Sequence, residues 1–153
     1  MRSVELSIRN DPAALAEVRE ALDELGEAHS VADRVLIALQ VALDEIVSNV
    51  IRYAWPEGGA HDVRVRLAVT DTGVEVTVTD DGRAYDPRQA PAPEPVTPGQ
   101  PRRPGGLGIH MVRQLVDGFH YERVDGYNRT TLTKRCVFGA AQAKGGPDDE
   151  RRA

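Results

Sequence analysis

The sequence lacks the features that would place it in several large protein classes. Its 153 residues include one cysteine, Cys136, so no internal disulfide can form. That favours a reducing compartment and gives the thiol a packing role within the strand-like run Thr130 to Phe138. No apolar run approaches the ~20 residues that a membrane helix needs, and the opening MRSVELSIRN has no apolar signal core. A soluble, cytoplasmic protein with no membrane partner is expected. An excess of basic charge is also missing, with 19 Lys and Arg against 24 Asp and Glu, a net −5. This argues against a general basic surface, so nucleic acid is not an expected partner. The four histidines, His29, His61, His110 and His120, show no metal-ligand spacing.

What is present suffices for one packed domain, since 41% of the residues are hydrophobic. Val4, Leu6 and Ile8 alternate with polar residues, as in a strand with one buried face. Asp11-Pro12 starts a helix that carries Leu15, Val18, Leu22 and Leu25 and should end near Gly26. Ser30 with Asp33 resembles a capping box. It opens a long helix whose apolar face runs from Val35 through Leu39, Leu43 and Ile46 to about Ala54. Val63–Val69 and Val74–Thr79 read as a hairpin turning at Asp71-Thr72-Gly73. Residues 86–104 hold seven of the ten prolines, so helix or strand cannot persist there and a long internal loop, a lid or binding loop, is expected. A helix from Leu107 to Val116 follows, then strands at Gly118–Val124 and Asn128–Phe138. Residues 139–153 carry too little apolar surface to fold and read as a disordered tail. The predicted fold is α+β, a two-layer α/β sandwich over residues 1–138. Its mixed, mainly antiparallel sheet is covered on one face by helices.

Three short segments could carry chemistry. Glu45 and Asn49, four apart on the long helix, project from the same side. They suit proton acceptance and Mg²⁺ coordination, or they are simply two polar residues on a solvated face. Thr79-Asp80-Asp81-Gly82-Arg83-Ala84 delivers carboxylates from a strand end, either to an exocyclic amine or into an ordinary polar turn. Gly105-Gly106-Leu107-Gly108 runs into a helix, as a phosphate cradle or as a flexible loop end. Arg102 and Arg103 just before it read better as solvated loop charges than as phosphate ligands.

Together, and in this order, the segments resemble the boxes of the histidine-kinase-like ATPases of the Bergerat (GHKL) type. Glu45 to Ala54 matches the first box and Asp80 to Ala84 the second. Gly105 to Ile109 matches the third, and Asn128-Arg129-Thr130 the late threonine. The resemblance spans residues 3 to 138. It implies that the cofactors are ATP and Mg²⁺, with Asn49 on the metal, Asp80 on the adenine amine and Gly82 letting the base approach. It further implies Glu45 as general base, Gly105, Gly106, Leu107 and Gly108 along the triphosphate, and Thr130 beside the adenine. Two positions depart from the pattern: Ala84 replaces a glycine, and Asn128 stands where many relatives have glycine. With few residues before Glu45 and after the boxes, neither a sensor kinase's dimerisation helices nor a transducer domain is expected. It is most similar to the bacterial anti-sigma-factor serine/threonine kinases. That likeness implies a homodimer that binds a sigma factor and phosphorylates a STAS-type antagonist. The alternatives are a nucleotide-latched binding module without catalysis and a slow ATPase.

Overall fold

The structure is a computed structural model that describes residues 2–89 and 106–136. The expected loop beyond residue 89, Arg102, Arg103, Gly105, Phe138 and the expected tail 139–153 lie outside the described residues, as do the side chains of residues 106 and 107.

Strands β1 (Ser3–Arg9), β2 (Asp62–Val69), β3 (Gly73–Asp80), β4 (Gly118–Val124) and β5 (Tyr127–Arg135) form one open sheet in the order β1-β2-β3-β5-β4. Every neighbouring pair is antiparallel, so the expected mixed sheet has no parallel pair. The reason is topological. β3 and β4 run the same way and are connected through helix α3 (Gly106–Leu115), a link that ordinarily makes a parallel pair. The turn after β4, with Asp125 at φ 53° and Gly126 at φ 83°, sends β5 back between them.

One face of the sheet is the core. Val63, Val65 and Leu67 of β2, Val74, Val76 and Val78 of β3, and Leu132 of β5 are buried. They meet Leu22 of helix α1 (Leu15–Ala28), Leu39, Leu43 and Ile46 of helix α2 (Asp33–Tyr53) and Ile109 of α3. Each such side chain contributes roughly 1.5–3 kcal/mol on leaving water. The alternate residues, Arg64, Arg66 and Arg129 among them, face away and are exposed. The fold is thus the two-layer α+β sandwich expected.

Three local expectations are corrected. The first helix is preceded by a 3-10 turn at Pro12–Ala14 and runs through Gly26 to Ala28. A Cβ on Gly26 would come 2.5 Å from Leu36 Cδ1, so this glycine marks close packing rather than a helix stop. Ser30 does not cap α2. It lies at φ 57°, where its N–H donates to Glu27 O at 3.4 Å and that of Val31 to Gly26 O at 2.9 Å, closing α1 in a Schellman motif. The residue in the cap position of α2 is Ala32, which offers no side-chain bond. Finally, β5 ends at Arg135, and buried Cys136 follows it with its N–H on Thr72 O at 3.0 Å.

Candidate nucleotide site

Along β3 the core-facing positions read Val74, Val76, Val78, Asp80, and along β5 Leu132, Thr130, Asn128. The register sets Val78 opposite Thr130 and Asp80 opposite Asn128. The buried face therefore turns from apolar to polar at one end of the sheet. Among the described residues the buried polar side chains are Asn49, Asp80, Asn128 and Thr130, and all four line one narrow cleft, partly open to solvent. Ile46, Val50, Tyr53, Ala54, Tyr85 and Pro87 supply its apolar walls. An apolar slot with a few buried polar groups suits a flat heterocycle.

Asp80 Oδ1 accepts from Gly82 N at 2.9 Å and from Asn128 Nδ2 at 3.0 Å. Among the described residues no donor reaches Oδ2. Burial pushes the Asp80 carboxyl above its ordinary range; the bonds from Asn128 and Gly82 and the charge of Arg123 oppose that, while Asp81 adds to it. Asn128 also donates to Arg83 O at 2.8 Å, and its Oδ1 accepts from Tyr121 Oη at 2.5 Å.

On α2, one turn apart, lie Glu45 and Asn49. Glu45 Oε2 and Asn49 Oδ1 are buried without a hydrogen-bond partner among the described residues. An orphaned buried oxygen costs about 1–3 kcal/mol, which a fold retains where a ligand supplies the missing partner. The Glu45 carboxylate packs against Gly108, and a Cβ there would overlap it. Gly108 belongs to the first turn of α3, where backbone N–H groups lack intrahelical acceptors. Burial raises the Glu45 carboxyl, the charge of Arg52 and the Asn49 side chain lower it, and Asp44 raises it further.

The sequence-predicted residues are therefore gathered unevenly. Asn49, Asp80 and Thr130 share the cleft, while Glu45 and Gly108 meet beside it at the start of α3. Gly106 and Leu107 open that helix. Gly82 does not line the cleft; a Cβ there would lie 2.5 Å from Ala54 Cβ, so it seats the turn after β3 on the end of α2. Arg83 N donates to Ala54 O at 2.9 Å in the same junction. Beside it Trp55 stacks on His61 at 4.4 Å and donates from Nε1 to Asp81 Oδ1 at 3.2 Å. Sequence reasoning missed the part played by Asn128, Tyr85 and Tyr121. The alternation Leu132, Thr130, Asn128 was the available signal for the first.

A sequence profile described as the histidine kinase-like ATPase domain matches residues 8–134. The chain belongs to this family. Serine/threonine-protein kinase BtrW of Bordetella bronchiseptica is 32% identical over 104 residues, covering 68% of this chain and 73% of that one. Serine-protein kinase RsbW of Bacillus subtilis is 25% identical over 118 residues, covering 74% of each. This histidine kinase-like ATPase domain also superposes on a crystal structure of RsbU and RsbW domains from Mycobacterium tuberculosis, with TM-score 0.63 and 18% identity. That match takes in 89% of this chain but 33% of the other, so this chain spans about a third of the length of that one. At such identity the likeness is one of fold alone.

Proposed function

We propose that this domain is an ATP-dependent protein serine/threonine kinase of the anti-sigma-factor type, which phosphorylates a STAS-type antagonist and so exchanges partners. The observation that carries the reading is the pair of buried, unpartnered oxygens on α2, Asn49 Oδ1 and Glu45 Oε2, set between the polar cleft and the first turn of α3. In this reading the adenine amine donates to Asp80 Oδ2, Thr130 lies beside the base, and the phosphates extend toward the N–H groups that open α3. An all-oxygen environment suits Mg²⁺. No three His, Cys, Asp or Glu side chains cluster for a metal among the described residues, so Asn49 would share the ion with phosphate oxygens. Bound there, the ion screens phosphate charge.

Glu45 takes the proton of the acceptor hydroxyl as its oxygen bonds the γ-phosphorus. The bond from that phosphorus to the β,γ-bridging oxygen breaks, leaving ADP and a phosphoserine or phosphothreonine. The kinase relatives support this assignment. The proposed partners are a sigma factor and the STAS-type protein, held by a homodimer in the cytoplasm.

Calorimetric titration with ATP, with and without Mg²⁺, tests the site. Binding is expected to need Asn49 and to vanish in Asp80→Ala. Transfer of labelled γ-phosphate to a STAS protein is the test of the reaction. Free phosphate without a labelled acceptor identifies an ATPase, and binding without either product identifies a nucleotide-latched module.

A further inference from the structure

Asn128 stands on β5 opposite Asp80, and its side chain uses its full bonding capacity. The amide's orientation is fixed independently of any choice of flip: Arg83 O, at 2.8 Å, can only accept, and Tyr85 N, at 3.4 Å, can only donate. The NH₂ group must therefore face Arg83 O and Asp80 Oδ1, and the carbonyl oxygen must face Tyr85 N and the Tyr121 hydroxyl. One side chain thus ties β5 to β4, to the end of β3 and to the turn leading into the cleft mouth.

Resting on the nucleotide reading above, we infer that Asn128 is a positioning residue for base selection. By occupying Asp80 Oδ1 with an N–H donor, it leaves Oδ2 as a fixed acceptor that takes an adenine amine and rejects a 6-oxo purine. The chemistry is one of matched donors and acceptors. Adenine presents a donor at its 6-position, whereas hypoxanthine presents an acceptor there and repels an ionised carboxylate. A carboxyl that picks up a proton becomes a donor to that oxygen, and one that swivels no longer holds its acceptor against the amine; in both cases the discrimination weakens.

The charged groups about Asp80 are Asp81 beside it, Arg83 in the same turn and Arg123 of β4, which donates to Gly82 O at 2.7 Å. From α2 the cleft receives Asn49 and Tyr53, and from β5 Asn128 and Thr130.

The experiment is calorimetric titration of the full chain with ATP and with inosine triphosphate across pH, in wild type, Asn128→Ala, Asn128→Asp and Tyr121→Phe. Loss of one hydrogen bond to a charged group is expected to cut the ATP preference of Asn128→Ala about tenfold. Asn128→Asp keeps the shape and the acceptor facing Tyr85 and Tyr121 but sets a second carboxylate against Asp80. Its ATP affinity is expected to recover as pH falls, because a proton shared between the two carboxyls replaces the lost N–H. A purely structural role would move the affinities for ATP and inosine triphosphate together with pH, so the readout is their ratio. Tyr121→Phe removes one of the two donors to the Asn128 carbonyl oxygen while Arg83 O and Tyr85 N still orient the amide, and it is expected to lose part of the preference while keeping the fold. Folded variants that retain the wild-type ATP preference overturn the inference. A wild type that binds no ATP overturns the nucleotide reading itself, a different and separable result.

Discussion

Glu45, the proposed base, must be ionised to work, yet burial holds its carboxyl above the ordinary glutamate range. Phosphotransfer is therefore expected to decline, on acidification, at a higher pH than a solvated glutamate would give, as a pH–rate profile will register. Stability has the opposite sense. A group whose folded pKa is raised contributes its full stability below the unfolded value and loses it as pH rises through the folded value. Asp80 shares this sign. Glu45→Gln removes the buried charge, so denaturant titrations are expected to find it more stable than wild type at neutral pH, with the gap closing in acid. Its transfer rate should fall by about 10² or more, while calorimetry should find ATP still bound. Gly108→Ala places a methyl where the Glu45 carboxylate sits and is expected to lose transfer for the same reason.

At the scale of elements, the junction of α1 and α2 leaves stability unclaimed. Ser30 holds a left-handed conformation at the position after the α1 cap, where glycine is the usual residue. Ala32 occupies a cap position at φ −61° and ψ 143° without an oxygen to offer. Ser30→Gly and Ala32→Ser are each expected to stabilise the fold by about 1 kcal/mol, measurable as higher denaturant midpoints with ATP affinity unchanged. The same junction misled the sequence reading, because Ser30 and Asp33 have capping-box spacing although the chain is reversing at Ser30. Elsewhere the elements were legible from period alone: Val74, Val76 and Val78 alternate as a half-buried strand must, and Leu39, Leu43 and Ile46 mark one side of a long helix. Asn128 was legible as a departure but not as a ligand of Asp80. That bond spans 48 positions in the chain and depends on β5 inserting beside β3.

For the molecule as a whole, the cleft joins the polar ends of β3 and β5 to α2 and to the turn after β3, so ligand binding and global stability are coupled. With Mg²⁺ and ATP at about a hundredfold above Kd, unfolding is expected to cost about 2.7 kcal/mol more. Scanning calorimetry should register a higher midpoint, absent in Asp80→Ala. The family was readable because each of its segments lies within a few consecutive residues. The inserted position of β5 was not, since no local pattern distinguishes it from a parallel neighbour of β3. One feature of this junction turns the protein into its own optical instrument. Trp55 is the chain's sole tryptophan, and its indole lies flat on His61 and bonds Asp81, the neighbour of Asp80. Emission from that indole is sensitive to ring stacking and to its N–H partner. Its intensity should therefore follow nucleotide entry in real time, without a label and without a second aromatic of its kind to confuse the signal.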